Sequence, residues 1–594
     1  MIECLIKDSL PFNILKSPNF QSFISSLNPR FQIPNINSIK ESIAFLYDNS
    51  ANEIQSKLTN DCHFASITTD FWTASHQKKG YMGITCSWIS EKFEPIEILL
   101  NLIHVPHPHT GIVIKNILET EIQKWDLDKK ITSITTDNGS NMVLGLRLLK
   151  NSLGIERTSC TAHTLQLCVK KALNFNDNIK ALVLRARRLA LFFNSPKQLE
   201  ALFKQQERLR EDYPNNLKPI YDVATRWNST YYSWVRLLDL KKAISILQSH
   251  MIFDSNSETK RDGRKLQKIL LDDNEWHLIK QLVEVLEKFD TITSTLSGKN
   301  FVTLSLVTPI IFFLKKFFLE TLITMRNEEE NDNNNDFDDE IIESINSEDF
   351  LEESDDESFL PLEENNEDEV ELYEENNGER RKKKINISRP VNTEGLYEKV
   401  ILTLFTSLNH YWSTPSHLAL FASALDPRFK HLKFISDRQR NEVLVSLKNQ
   451  YSLLKQQEDE QINNQTHLTN LRSVNLPLRT NPDRQKNIFD NLFDDLQQFE
   501  QEQDEFEKYF FSLPLASRSV DPFIWWNQQK HELPIMSKLA KKYLCISATS
   551  VPSERLFSDV GNHITPSRNR LSHDIVSKLV FLKRNSREIN IFNY

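Results

Sequence analysis

The feature that most constrains the fold is the distribution of β-strand signals, which are confined to one stretch near the N-terminus. Five runs there are rich in β-branched and aromatic residues, and two segments between them carry apolar residues at helical spacing. Strands are predicted at residues 63–70, 80–89, 95–105, 130–137 and 156–162, and helices at 110–125 and 142–150. Beyond residue 165 the strand signals fade, and apolar residues recur at helical spacing over most of the remaining chain.

This succession of three strands, a helix, a strand, a helix and a strand predicts an α/β fold of the ribonuclease-H-like type. At 594 residues the chain is too long for one compact core, because domains average roughly 150 residues. We expect an N-terminal segment, the first part of the core, a large all-α insertion domain, and a C-terminal region that completes the core. The predicted boundaries are 1–60, 61–170, 171–540 and 541–594.

The net charge of −9 hides an uneven distribution of acidic residues. Residues 327–379 contain 25 Asp and Glu and no Lys or Arg, whereas the other 541 residues carry 72 basic against 56 acidic side chains. An acidic tract of this composition cannot bury enough apolar surface to offset its ordering entropy, so residues 327–393 are predicted to form a disordered acidic loop. The basic remainder suits a polyanionic partner, although a modest basic excess is also common in globular proteins.

A basic cluster, Arg380-Arg-Lys-Lys-Lys384, closes the acidic tract. It resembles a nuclear localisation signal, and counter-charge for the acidic residues before it is an equally good interpretation. No apolar run reaches the ~20 residues of a membrane span, so no membrane partner is expected. Six scattered cysteines are too few for a disulfide framework, which favours a reducing compartment.

Two predicted strands end in the same four residues, Ile67-Thr-Thr-Asp70 and Ile134-Thr-Thr-Asp137. In the predicted order these strands are parallel neighbours, so the two carboxylates should lie within a few ångströms of each other. Adjacent carboxylates repel unless a cation lies between them, and hard oxygen ligands suit Mg²⁺ or Mn²⁺. The alternative is that each Asp merely caps a turn or the following helix, which Asn138-Gly-Ser also permits.

A third acid is expected from a later helix, and Glu554 is the candidate. Pro552 and Ser553 resemble helix-start signals, which would place this carboxylate in the first helical turn. The alternative is an ordinary acidic residue that complements the helix dipole.

Several short blocks spread over residues 62–590 carry a further signal. The blocks are Thr69-Asp-Phe-Trp-Thr73, Thr136-Asp-Asn-Gly-Ser-Asn141, Cys160-Thr-Ala-His163, Ala224-Thr-Arg-Trp-Asn-Ser229, Leu425-Asp-Pro-Arg-Phe-Lys430, and the longest, from Asp521 to Asn585. In content and order they resemble the hAT superfamily of DNA transposases. The resemblance implies a protein that binds double-stranded DNA in the nucleus and forms a dimer or higher oligomer through a C-terminal helical dimerisation region.

The resemblance also implies roles for individual residues. Asp70, Asp137 and Glu554 fall on the family's catalytic acids, which bind two divalent ions, Mg²⁺ or Mn²⁺, and cut and join phosphodiester bonds. Cys160 and His163 fall on the family's C/D-x-x-H motif, which is implied to lie near the active site, and Trp227, beside Arg226, falls on a Trp implied to stack on a flipped base. All four are implied to be DNA-binding residues. On local grounds alone, a Trp in helical surroundings is more often a core residue.

The chain departs from the family pattern at its N-terminus. Family members commonly begin with a BED-type zinc finger, but Cys4 is the only cysteine before Cys62, so the required Cys-x-x-Cys arrangement is absent from this sequence. The leading hypothesis is therefore a transposase or transposase-derived protein without that finger. The rival is a domesticated, non-catalytic nuclear protein that binds DNA and dimerises.

Overall fold

The computed structural model describes residues 1–74, 79–223, 227–298, 303–329, 369–376, 379–470, 504–564, 571–589 and 591. Two compact units account for these residues. We call residues 1–160, 297–309 and 415–594 the sheet unit, and residues 161–296 and 310–414 the helical unit.

The order of strands and helices between residues 63 and 160 is as predicted, and the described chain beyond residue 160 is helical apart from the strands β6 and β7, which were not predicted. The elements up to residue 160 are α1 (Ile2–Lys7), α2 (Pro18–Leu27), α3 (Ile36–Asn60), β1 (Ala65–Ala74), β2 (Lys79–Ile89), β3 (Pro95–Val105), α4 (Gly111–Lys124), β4 (Ile131–Thr136), α5 (Ser140–Leu153) and β5 (Glu156–Ser159). The next are α6 (Thr161–Asn174), α7 (Asp177–Phe192), α8 (Pro196–Arg208), α9 (Trp227–Phe253), α10 (Ser257–Ile269), α11 (Asp273–Leu296), α12 (Leu304–Glu329), β6 (Glu369–Asn376), β7 (Glu379–Asn386) and α13 (Leu396–Tyr411). The last are α14 (His417–Leu425), α15 (Asp437–Asn470), α16 (Pro522–Gln529), α17 (Pro534–Leu544), α18 (Val551–His563) and α19 (His573–Asn585).

The sheet unit is built on a five-stranded mixed sheet with the order β3-β2-β1-β4-β5. Strands β1, β2 and β3 are antiparallel neighbours, whereas β4 and β5 run parallel to β1. The predicted succession of strands and helices and the predicted parallel pairing of the first and fourth strands are therefore confirmed. One difference concerns β1, which continues to Ala74 as a partner of β2 beyond its pairing with β4.

The C-terminal helices pack onto this sheet and complete its core. Leu556 and Val560 of α18 and Leu579 of α19 share one apolar cluster with residues of β1, β2 and β3. The amide side chain of Asn585 donates to the carbonyl and accepts from the N–H of Leu99, both at 2.9 Å, where the β2–β3 register shifts. These bonds satisfy the backbone N–H and carbonyl of Leu99, and they fix the end of α19 against the sheet.

The boundaries of the insertion differ from the predicted 171–540. Residues 415–544 belong to the sheet unit, because α14 packs against α17. The Trp526 indole N–H donates to the Leu425 carbonyl at 2.8 Å, and the buried Lys430 ammonium donates to the Tyr509 carbonyl at 2.6 Å. All of these segments are helical in sequence, so periodicity alone could not assign them to one unit or the other.

The predicted disordered loop, residues 327–393, requires a correction at its C-terminal end. Ile385 and Ile387 are buried against α7, and the Ile387 carbonyl accepts a 2.8 Å bond from Arg185. The prediction rested on the composition of the whole tract, to which these two apolar residues contribute little. Residues 330–368, which make up most of the predicted loop, lie outside the described residues.

The basic cluster Arg380–Lys384 lies in β7, which pairs antiparallel with the acidic strand β6. Among the helices that the structure describes, none is both long enough and apolar enough to cross a membrane.

Candidate active site

Asp70 and Asp137 lie where strands β1 and β4 separate. Their strands carry the identical pentapeptide Ser-Ile-Thr-Thr-Asp, at residues 66–70 and 133–137, and Ser66, Ile67 and Thr68 pair in register with the equivalent residues of β4. The Phe71 N–H donates to Asp70 Oδ1 at 2.7 Å. The Gly139 N–H donates to Asp137 Oδ1 at 3.3 Å. This oxygen therefore caps a turn, which is the alternative role that the sequence also allowed for Asp137.

A row of buried hydroxyl groups ties the segment before α18 to these two strands. Ser66 Oγ donates to the Cys545 carbonyl at 3.1 Å, and Thr135 Oγ1 donates to the Ser547 carbonyl at 2.8 Å. Thr68 Oγ1 lies 2.9 Å from Ser553 Oγ. Because these hydroxyls are fully buried, each needs a partner, and the returning chain supplies it. The hydroxyls of both pentapeptides therefore hold the C-terminal segment across β1 and β4.

Glu554 lies in the first turn of α18, as the sequence predicts. Its backbone N–H donates to the Ser550 carbonyl at 3.2 Å. The Ser550 hydroxyl oxygen lies 3.5 Å from Asp70 Oδ2 and 3.4 Å from Glu554 Oε1. The structure therefore brings together acids that are more than 400 residues apart in the chain.

The electrostatics of Asp70 show how close the three acids are. Burial raises the pKa of this carboxyl well above its usual value, and the negative charges of Asp137 and Glu554 raise it further. Hydrogen bonds from the Phe71 N–H and the Ser550 hydroxyl lower the pKa by less than these effects raise it. The site therefore concentrates negative charge that the surrounding protein does not neutralise.

The donor set fits hard divalent cations. In the described part of the chain, no three His, Cys, Asp or Glu side chains converge tightly enough to enclose a single metal ion. Mg²⁺ in phosphoryl-transfer sites is typically held by one or two carboxylates and completed by water and substrate phosphates. Asp70 and the two acids that act on it, Asp137 and Glu554, offer carboxylate ligands of this kind.

Cys160 makes hydrogen bonds to backbone groups beside this site rather than facing a ligand. Its backbone N–H donates to the Thr136 carbonyl at 2.7 Å, and its thiol accepts the N–H of Ser550 at 3.2 Å. The side chain is fully buried, and a role of Cys160 in DNA binding stays a prediction. His163 of the same motif is half-buried on α6, in the helical unit.

Trp227 does not present a stacking surface in this structure. It is the first residue of α9, is 2% exposed, and packs edge-to-face against Phe289 with ring centroids 6.2 Å apart. In this structure Trp227 is therefore a core residue of the helical unit, and its stacking on a flipped base stays a prediction from the family resemblance. Arg226, predicted beside it, lies outside the described residues.

The sequence interpretation missed the hydroxyl groups around the acids. The signal was present in β1 and β4, where Ser and Thr alternate with apolar residues ahead of each Asp. Ser550 carried no comparable signal, because a lone Ser before a helix normally indicates a cap.

Comparisons with known proteins agree with this arrangement. Residues 68–163 match the ZBED1 RNase-like domain, residues 158–285 match the ZBED1 RNase-like helical domain, and residues 505–586 match the hAT family C-terminal dimerisation region. The first match contains Asp70 and Asp137, and the third contains Glu554.

Three relatives illustrate the range of similar proteins. A maize (Zea mays) protein named putative AC transposase is 25% identical over 610 residues, which cover 98% of this chain and 64% of the relative. The human zinc finger BED domain-containing protein 4 is 22% identical over 605 residues, covering 98% of this chain and 43% of the relative. Rice (Oryza sativa subsp. japonica) RICESLEEPER 2, a zinc finger BED domain-containing protein, is 24% identical over 280 residues. These residues cover 45% of this chain and 38% of the relative.

This chain thus spans about 64% of the length of the maize relative. The matches to the ribonuclease-like and dimerisation regions, together with the similarity to the maize relatives over nearly the whole chain, make this protein similar to the hAT family of transposases.

Proposed function

We propose that this protein is a transposase, or a transposase-derived enzyme, that binds double-stranded DNA and cuts and joins phosphodiester bonds with Asp70, Asp137 and Glu554. The observation that carries the proposal is the meeting of these acids at the point where two parallel strands separate. The strand order β3-β2-β1-β4-β5, with β4 and β5 parallel to β1, supports a ribonuclease-H-like core and with it the same interpretation.

Mg²⁺ or Mn²⁺ ions held by the three carboxylates would activate a water or a 3′-hydroxyl and stabilise the leaving oxygen of the phosphodiester. Asp70 is the best shared ligand, because the charges of both other acids act on it. The N–H groups of Phe71 and Gly139 orient the two aspartates. Glu554 is exposed, so the site is open on the side from which a DNA backbone can approach.

We extend the proposal to a dimer or higher oligomer that acts in the nucleus. The support for oligomerisation is the match of residues 505–586 to a dimerisation region. That region also contributes to the sheet core through α18 and α19, so the same segment would serve both folding and assembly. Light scattering of the full chain at micromolar concentration should give at least twice the monomer mass of 69.5 kDa, and a monomer would contradict this part.

Nicking of supercoiled plasmid tests the enzymatic proposal. We expect nicking by the full chain with Mg²⁺ or Mn²⁺ and at least a hundredfold loss in Asp137→Asn, since an amide cannot replace an anionic ligand. Asp128→Asn is the matched control: Asp128 is exposed and precedes β4 at its opposite end. Equal nicking by wild type and Asp137→Asn, or no metal-dependent nicking, would contradict the proposal.

A second candidate function is a domesticated protein that binds DNA without cutting it. The rice and human relatives, which are named for a zinc finger domain rather than for transposition, favour it. This candidate predicts duplex binding that weakens steeply with added salt, because phosphate contacts release counterions. Salt-sensitive binding without any nicking would select it over the enzyme.

A further inference from the structure

Ser550 occupies a position from which it touches two of the three acids without being acidic itself. As the residue before α18, it would normally cap the helix by accepting an N–H of the first turn, which stabilises a helix by about 1 kcal/mol. Among the described contacts its hydroxyl makes no such bond. The N–H groups of Ser553 and Glu554 donate to the Ser550 carbonyl instead, at 2.9 and 3.2 Å. The hydroxyl is therefore free to face the carboxylates.

The hydroxyl stands between Asp70 and Glu554, at 3.5 and 3.4 Å from their oxygens. These distances exceed the optimum for O–H···O bonds, and a hydroxyl has a single hydrogen to donate. The Ser550 hydroxyl can therefore donate to only one of the two carboxylates at a time, and its oxygen keeps them apart. It is fully buried, so it can influence DNA only through its neighbours.

Cys160 fixes Ser550 in that position. Its thiol accepts the Ser550 N–H at 3.2 Å, and its own N–H donates to the carbonyl of Thr136, the residue before Asp137. One short chain of bonds thus links the strand end that carries Asp137 to the serine between the other two acids. Both residues of this link are fully buried, which restricts their movement.

We propose that Ser550 is a positioning residue that sets the spacing of Asp70 and Glu554 for divalent cations, and that Cys160 holds Ser550 in place. The proposal rests on the proposed function, because it assigns a purpose to the spacing of those acids. Residues that orient metal ligands typically change metal affinity by 10- to 100-fold when removed.

Mn²⁺ affinity of the full chain without DNA, measured by calorimetry, tests this proposal. Ser550→Ala should weaken Mn²⁺ binding about tenfold. Ser553→Ala is the matched control, since it removes an equally buried hydroxyl from the same segment that contacts Thr68 rather than the acids. It should change the affinity less than twofold. Ser550→Ala binding Mn²⁺ as tightly as wild type, or both variants weakening it equally, would overturn the positioning role.

Cys160→Ala provides a second test should Ser550→Ala fail to fold. It keeps the hydroxyl and removes the acceptor of the Ser550 N–H, so we expect several-fold weaker Mn²⁺ binding; unchanged affinity would overturn the anchoring role. Failure of the proposed function would give a different result. Wild type would then show no Mn²⁺ binding that depends on Asp70, so the Asp70→Asn substitution would leave its Mn²⁺ binding unchanged.

Discussion

Replacing Asp70 by Asn should stabilise the metal-free protein. The Phe71 N–H can donate to the amide oxygen as it does to Asp70 Oδ1, so the local geometry is preserved. The substitution removes a carboxylate whose pKa is raised by burial and by the charges of Asp137 and Glu554. In the absence of cations, that repulsion opposes folding.

The size of the effect follows from the contacts of Ser550. Its hydroxyl oxygen lies 3.5 Å from Asp70 Oδ2 and 3.4 Å from Glu554 Oε1. The two carboxylates are therefore at most about 7 Å apart, and at an effective dielectric constant of about 20 their repulsion costs about 2 kcal/mol. We expect Asp70→Asn to raise the free energy of unfolding by about this amount at pH 8.

The pH dependence has a definite sign. Because the folded-state pKa of Asp70 is raised, the folded protein keeps this proton at pH values where the unfolded chain has lost it. The wild type should lose stability relative to Asp70→Asn as the pH rises from about 4 through the folded-state pKa, and the difference should stay constant above it.

Urea unfolding in EDTA at several pH values measures this difference. Adding Mn²⁺ at about 100 times its dissociation constant should then stabilise wild type by about 2.7 kcal/mol and leave the variant almost unchanged. A variant less stable than wild type at pH 8 in EDTA would refute the reasoning, as would a stability difference that narrows with rising pH.

Two further predictions concern the packing of each unit. Gly83→Ala would place a Cβ atom 2.7 Å from Leu556 Cδ2 of α18, so urea unfolding should show that the free energy of unfolding falls by about 1–3 kcal/mol. An unchanged urea midpoint would contradict the close packing of α18 on β2. Glu275→Gln would leave the buried guanidinium of Arg185, now 2.7 Å from a Glu275 oxygen, without its counter-ion. Thermal unfolding should then show that the free energy of unfolding falls by about 3–5 kcal/mol. A decrease below about 1 kcal/mol would show that the ion pair is not desolvated.

The sheet was predictable because its strands are rich in β-branched and aromatic residues and follow one another in a recognisable order. That order makes the first and fourth strands parallel neighbours, and their identical residues 66–70 and 133–137 therefore placed Asp70 and Asp137 side by side. Glu554 was predictable as a residue of a first helical turn from Pro552 and Ser553, but its proximity to Asp70 came only from the family resemblance. No local pattern brings residue 554 back to a strand at residue 70.

Other features depend on tertiary contacts that a sequence pattern does not encode. Helices α14, α16 and α17 show the same helical spacing of apolar residues as α7 to α11, yet they belong to different units. Trp227 matches a family motif, but whether its ring faces solvent depends on neighbours such as Phe289. Ser550 was overlooked because a serine before a helix is usually a cap, and its role depends on acids from distant segments.

The most direct test of the central claim is anomalous diffraction from crystals of the full chain soaked in Mn²⁺. The account predicts manganese peaks coordinated by Asp70 together with Asp137 or Glu554, and their loss in Asp70→Asn crystals. Peaks elsewhere on the protein, with these three carboxylates left without metal, would contradict it.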